Sequence, residues 1–233
     1  MDTIAADLAA TLITHVNGIP PHKRLLIGIA GVPASGKSTF SLSLAAKLTE
    51  SLTGAQHAAI LVGLDGWHYS RKELDAMPDP KLAYDRRGAH WTFDGASYVS
   101  FIRSLREDIT PRTPVITAPS FDHAVKDPTP GAVAIHPYHR IVIVEGLYTF
   151  LSIDPWVEAG KLLDERWFIH IDVLKAQDRL VKRHVITGVA KDMDEAMWRA
   201  QENDGPNGTF IIENMLEPTK VITSIDDPSL TLL

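Results

Sequence analysis

The residues best suited to chemistry stand in one short run, Gly31-Val32-Pro33-Ala34-Ser35-Gly36-Lys37-Ser38-Thr39. It satisfies G-x-x-x-x-G-K-[ST], and it follows an apolar run and opens a helical pattern, the context that gives this spacing meaning. Small residues at Gly31, Ala34, Ser35 and Gly36 let successive backbone N–H groups turn inward around phosphate oxygens. The start of the following helix adds the positive end of its dipole. Lys37 offers a mobile cation for the β- and γ-phosphates, and the hydroxyl of Ser38, next to Thr39, a ligand for Mg²⁺. The run predicts binding of a nucleoside triphosphate with Mg²⁺.

Two carboxylates close apolar runs. Asp65 ends the run 58–64 and precedes Gly66, and Glu145 ends the run 141–144 and precedes Gly146. A carboxylate at the carboxyl end of a parallel strand beside a phosphate loop lies in the crevice where such sheets bind ligands. Asp65 can equally form an Asp-Gly turn. For Glu145 the first expectation is support of the metal site, because the corresponding strand of such nucleotide-binding proteins ends in an acid that holds Mg²⁺ or its water. Hydrogen bonding to substrate is the second. Further along, Arg179 and Arg183 are four apart on one face of a basic helical stretch over 174–186, with Lys182 nearby. Arg86 and Arg87 suit an anionic substrate or a solvated surface pair. His136 and His139 have no third ligand in a matching pattern and read as loop residues.

These groups need a scaffold. The 233 residues exceed the ~150 of an average domain modestly, so one decorated domain over 1–233 is expected. With 45% apolar and 22% charged residues the composition is that of a soluble globular protein. A net charge of −6 leaves no broad basic surface for nucleic acid. The absence of cysteine excludes disulfides, thiolate zinc sites, iron–sulfur clusters and cysteine nucleophiles. No apolar run approaches the ~20 residues of a membrane span. The first residues lack Lys and Arg and carry Asp2 and Asp7, unlike a signal or transit peptide, so a cytoplasmic location is expected. Monomer and homodimer both remain open.

Periodicity places the elements. Ile4, Leu8, Leu12 and Val16 predict a helix over 1–17, ended by Asn17-Gly18. Apolar runs at 24–30, 58–64, 141–144, 167–172 and 221–225 predict five strands of a parallel sheet. Helices are predicted over 37–50, from a cap at Asp94 to about 108, over 174–186 and over 193–203. Residues 66–93 read as a substrate-facing excursion with at most short helices. A short strand is predicted at 115–118, and the proline-dense stretch 119–139 reads as an irregular insertion. The alternation predicts an α/β fold with a parallel five-stranded sheet.

GIAGVPASGKST, the strand ending in LDGWHY, IVIVEGLYTF and DRLVKRH together resemble the P-loop superfamily of uridine kinase, phosphoribulokinase and bacterial pantothenate kinase. RRGAHWTFD and ENDGPNG are similar to a uridine kinase-like subfamily whose members carry labels such as nucleoside triphosphate hydrolase or fructose-transport-type kinase. The resemblance covers residues 24–226. It implies a three-layer P-loop NTPase fold with a helical lid, 174–203 being the lid and the helix that follows it, and transfer of the γ-phosphate of Mg·ATP to a hydroxyl of a nucleoside, sugar or vitamin precursor. Carried over residue by residue, it implies that Asp65 accepts the hydroxyl proton and that Lys37, Arg183 and Arg179 act on the phosphates, Arg183 slightly favoured. It places Glu145 at the metal, and Asp94, Phe121 and Asp122 on the acceptor side with Arg87. Phe121 and His123 replace two tyrosines of uridine kinases, and the His-x-Arg that follows there is missing, which counts against uridine itself. The subfamily segment with Asn203, Asp204 and Asn207 is expected to form a turn. A regulatory P-loop NTPase, hydrolysing ATP slowly and acting through a protein partner, is the alternative. The N-K-x-D motif of GTPases is absent.

Overall fold

Leu25, Ile27 and Ile29 alternate with Leu26 and Ala30 along the first strand, and all five are buried, so this strand must have a hydrophobic layer on each face. A computed structural model describes residues 1–52, 58–122 and 125–226. In chain order its elements are α1 (Asp2–Gly18), β1 (Leu25–Gly31), α2 (Lys37–Ser51), β2 (Ala58–Gly63), α3 (Arg71–Asp75), α4 (Pro80–Asp85) and α5 (Gly95–Leu105). Then come β3 (Ile116–Asp122), β4 (Asp127–Ile135), β5 (His139–Glu145), α6 (Trp156–Leu162), β6 (Glu165–His170), α7 (Val173–Ile186), α8 (Met193–Arg199), α9 (Gly205–Asn214) and β7 (Lys220–Thr223). His123 lies outside the described residues. Among those described, no helix is long and apolar enough to cross a membrane.

The main sheet has the order β2-β5-β1-β6-β7, parallel throughout. Leu25, Ile27 and Ile29 pack with Leu8, Leu12, Phe40 and Leu44 of α1 and α2. Leu26 and Ala30 face the opposite layer, which includes Tyr98 and Ile102 of α5, Trp156 of α6 and Ile211 of α9. Burying each large aliphatic or aromatic side chain is worth about 1.5–3 kcal/mol, enough over two faces to set the strand's place in the sheet. The result is the expected three-layer α/β fold with a parallel five-stranded sheet. Short polar side chains start the helices around it: Asp94 accepts from the Ser97 N–H (2.9 Å), Asp172 from Lys175 (3.0 Å) and Asp192 from Glu195 (2.9 Å).

Two expectations are corrected. The stretch 119–139 is an ordered antiparallel hairpin for most of its length, in which β3 pairs with β4 from Ile116↔Ile135 to Asp122↔Asp127. Its prolines mark the positions that a two-stranded ribbon tolerates. Pro119 sits at the register shift between Ala118 and Ser120, and a ribbon has a free edge on each strand where a missing N–H costs no ladder bond. The predicted helix over 193–203 and turn after it are also revised. Helix α8 passes through a π-turn, Ala200–Asp204, directly into α9, with Pro206 in its first turn, where the absent N–H would have no partner anyway. Helix α6 had no counterpart in the periodicity reading.

The hairpin rests on the turn that carries Asp65. A Cβ added at Gly66 would lie 2.3 Å from the Pro119 carbonyl oxygen and 2.6 Å from its carbon, main-chain atoms with no rotamer to yield. Gly66→Ala is therefore expected to lower stability by about 1–3 kcal/mol in urea unfolding, by overpacking rather than by lost chain freedom. An unchanged midpoint would show that the hairpin is not seated on this turn.

Candidate active site

Strands β1, β2 and β5 deliver their chemistry to one edge of the sheet. Ile29 of β1 and Gly63 of β2 are both in register with Glu145 of β5, so the loops that follow these three strands emerge together. This carboxyl edge is where open parallel sheets receive ligands.

The loop after β1 has an unusual backbone. Ala34 has φ 60° and Gly36 φ 89°, two left-handed residues within three positions. Ala34 is not glycine, and such outliers gather at ligand clamps. The approach is close as well: a Cβ at Gly31 would lie 2.5 Å from Ser35 Oγ and 3.0 Å from the Ile169 carbonyl oxygen. Ser35 is fully buried, and its Oγ has no hydrogen-bond partner. Lys37 opens α2 half-buried, Thr39 is half-buried two residues on, and Ser38 between them is exposed. Ser38 Oγ donates to Glu145 Oε1 at 2.9 Å across 107 positions of sequence. A hydroxyl and a carboxylate in contact at the mouth of a phosphate loop are a donor set suited to a hard divalent cation.

Asp65 is half-buried in a tight turn directly after β2. Its main-chain oxygen accepts from the His68 N–H (3.1 Å), and the His68 ring Nδ1 lies 2.8 Å away, so that nitrogen carries the proton. The ring it orients forms an aromatic wall, 3.9 Å from Phe93 and 4.8 Å from Phe121 between centroids. Phe121 thus borders the Asp65 turn as expected. Asp122, at the end of β3, accepts from the Val125 N–H (3.2 Å) in the hairpin turn. Asp94 directs Oδ1 to its own helix, and its N–H donates to the Trp67 carbonyl (2.8 Å), so the geometry displays the capping half of the expectation.

Helix α7 brings one of its two arginines to the loop. Arg179 donates to Ser224 Oγ (3.1 Å) and pairs with Asp226, and its Nη1 is 3.9 Å from where a Cβ on Gly36 would stand. Lys175 and Arg179 together hold the Asp226 carboxyl below the usual range. Arg183 is exposed one turn further along. A mostly apolar cavity of about 260 Å³ opens beside Val32 and Pro33, between Leu180 of α7 and Ile212 of α9.

Several residues without an assigned role join the runs that carry the resemblance. Tyr148 donates to the Gly88 carbonyl (2.7 Å), Asn203 Nδ2 donates to the Arg87 carbonyl (3.1 Å), and Asn207 Nδ2 donates to Asn203 Oδ1 (3.4 Å). His184 Nε2 and Asp204 Oδ2 are 3.0 Å apart, joining α7 to the π-turn. Tyr148 lies three residues beyond Glu145 in the run IVIVEGLYTF. His139 Nδ1 accepts from the His136 N–H (3.0 Å), which engages that ring within its turn.

No family model matches the chain. It is 45% identical over 159 residues to an ATP-dependent kinase-like protein of Aspergillus versicolor, covering 68% of this chain and 92% of that protein. It is 39% identical over 203 residues to a provisionally named uridine kinase of Schizosaccharomyces pombe, covering 87% and 84%. Among solved structures it superposes with a TM-score of 0.79 on a provisionally named fructose transport system kinase from Silicibacter sp. TM1040, 28% identical, covering 94% of this chain and 98% of that one.

Proposed function

The chain belongs to the uridine kinase-like P-loop kinases, and from that premise we propose that it transfers the γ-phosphoryl group of Mg·ATP to a hydroxyl of a small metabolite. The observation that carries this reading is the Ser38–Glu145 hydrogen bond of 2.9 Å at the mouth of the loop, with Asp65 two residues beyond Gly63, the register partner of Glu145. The chain's own residues fit the nucleotide: a left-handed loop at Ala34 and Gly36, an unpartnered buried hydroxyl at Ser35, and Arg179 beside Gly36. They fit Mg²⁺ through Ser38 and Glu145. When bound, the ion neutralises charge on the β- and γ-phosphates.

The protein's part is to hold and to move one proton. Lys37 and the loop N–H groups hold the triphosphate, and Arg179 adds a planar fork suited to two phosphate oxygens. Asp65 accepts the hydroxyl proton as the acceptor oxygen bonds to the γ-phosphorus and the bond to the β,γ-bridging oxygen breaks, leaving ADP. His68, Phe93 and Phe121 wall the acceptor side. Residues 1–233 serve as one catalytic domain, with 174–203 as its lid.

The test is ATP turnover alone and against a panel of small hydroxyl compounds, with the phosphorylated product identified. Stimulation by one compound, with product equal to ADP formed, is the expected result. Turnover raised only by a protein partner would replace this reading with a regulatory NTPase.

The lid makes a separate prediction. Arg179→Ala is expected to lower the maximal rate by on the order of tenfold to a hundredfold, because a donor beside the transferring charge is lost. Arg179→Lys should restore only part, since an ammonium lacks the two-pronged geometry. Arg183→Ala should have the smaller effect in steady-state kinetics. The opposite ranking would mean that α7 closes on the phosphates from a position one turn further along.

A further inference from the structure

Arg86 and Arg87 are the same residue type one position apart, and the fold uses them differently. Arg87 Nη1 donates to the Lys126 carbonyl (2.7 Å) and Nη2 to the Tyr69 carbonyl (2.9 Å). Its Nη2 is 3.8 Å from Asp127 Oδ1, and its guanidinium lies 5.4 Å from the centre of the Phe121 ring. Arg87 is structural glue between the excursion and the hairpin. Arg86 has no such ties. Its Nε, like that of Arg87, is buried without a hydrogen-bond partner, but its guanidinium forms no ion pair among the described residues. A half-buried guanidinium without a counter-charge is not compensated by the protein and is open to a ligand that supplies the opposite charge.

The turn that carries Arg86 is anchored to the active-site crevice on several sides. Tyr148 donates to the Gly88 carbonyl at 2.7 Å, and Asn203 to the Arg87 carbonyl at 3.1 Å. A Cβ on Gly88 would stand 3.7 Å from Asn207 Nδ2, and one on Gly208, the next residue, 3.5 Å from Val32 of the phosphate loop. The Tyr148 hydroxyl registers the charges that meet there. Burial pushes it up, Arg86 pulls it down, and Asp204 and Asp65 push it up again. Apart from Arg86, the ionised groups in this field are carboxylates, and a bound triphosphate would add more negative charge. An anionic molecule could approach Asp65 only where a cation offsets them.

We infer that Arg86 receives an anionic group of the acceptor, so that the substrate is a hydroxyl compound bearing a carboxylate or phosphate rather than a neutral nucleoside or sugar. The inference rests on the kinase reading for the hydroxyl and on Arg86 alone for the anion. A guanidinium fork matches either oxyanion through two parallel hydrogen bonds, which also fixes how the hydroxyl is presented to Asp65.

The test is calorimetric titration of the full chain, saturated with Mg²⁺ and a non-hydrolysable ATP analogue, with matched pairs. Pantothenate against pantothenol and glycerate against glycerol probe a carboxylate, and ribose 5-phosphate against ribose probes a phosphate. At least one acid is expected to bind more tightly than its neutral counterpart by on the order of tenfold or more. That preference should collapse in Arg86→Gln and return in part in Arg86→Lys, with unfolding midpoints unchanged. Equal binding within every pair, no binding by any acid, or a preference that survives Arg86→Gln would overturn the inference. An acid that binds through Arg86 yet fails to raise ATP turnover would leave the anion site standing and remove the kinase reading instead.

Discussion

Lys37→Ala is expected to abolish phosphoryl transfer while leaving the fold intact. Lys37 opens α2 and is only half-buried, and the helix around it is held by Phe40, Leu44 and Leu48, which lie in the core. Removing its side chain therefore leaves no cavity, and stability should change by less than about 1 kcal/mol. The rate is another matter. Charge spreads over the γ-phosphoryl oxygens as the bond to the leaving oxygen breaks, and a fixed cation there is worth on the order of 10²-fold or more. The measurement is product formation by the variant beside its thermal midpoint. Near-normal turnover would show that the loop holds the nucleotide without taking part in the chemistry.

Asp65→Asn should remove acceptor-dependent turnover and spare nucleotide binding. The His68 N–H at 3.1 Å and the His68 ring at 2.8 Å both bond the Asp65 main-chain oxygen, which asparagine keeps. Shape is retained and proton acceptance is lost, so the substitution isolates the general base. That contribution is expected to be on the order of 10²–10⁴-fold in the acceptor-stimulated rate. Slow hydrolysis in the absence of acceptor should continue, because water needs no such positioned base to enter. Calorimetry with Mg·ATP beside turnover with and without acceptor separates the outcomes. Full acceptor-dependent turnover would return Asp65 to a turn residue. Loss of nucleotide binding would move it to the magnesium side and give Glu145 to the acceptor.

What local physics governs was legible in the residues themselves. The phosphate loop needs small residues, a lysine and a hydroxyl within nine consecutive positions, and it could be read without knowing the fold. The strands beneath it are continuous apolar runs because both faces are covered, and the α5 start is an aspartate whose own side chain closes the first turn. Each of these signals lies within a few residues of the structure it specifies.

Tertiary structure decided the rest, because the deciding partner stands far away in sequence. Prolines that break an isolated strand are accommodated in β3 and β4, where Pro119 falls at a register shift that only the pairing reveals. Glycine and proline at 205 and 206 suggest a turn until a preceding π-turn presents them as the start of a helix. Glu145 meets Ser38 across 107 positions. Arg179 reaches Gly36 while Arg183, on the same helix, faces solvent, a difference set by how α7 is docked against the loop. Arg86 and Arg87 are chemically identical, and the hairpin supplies a carbonyl and a carboxylate to Arg87 alone.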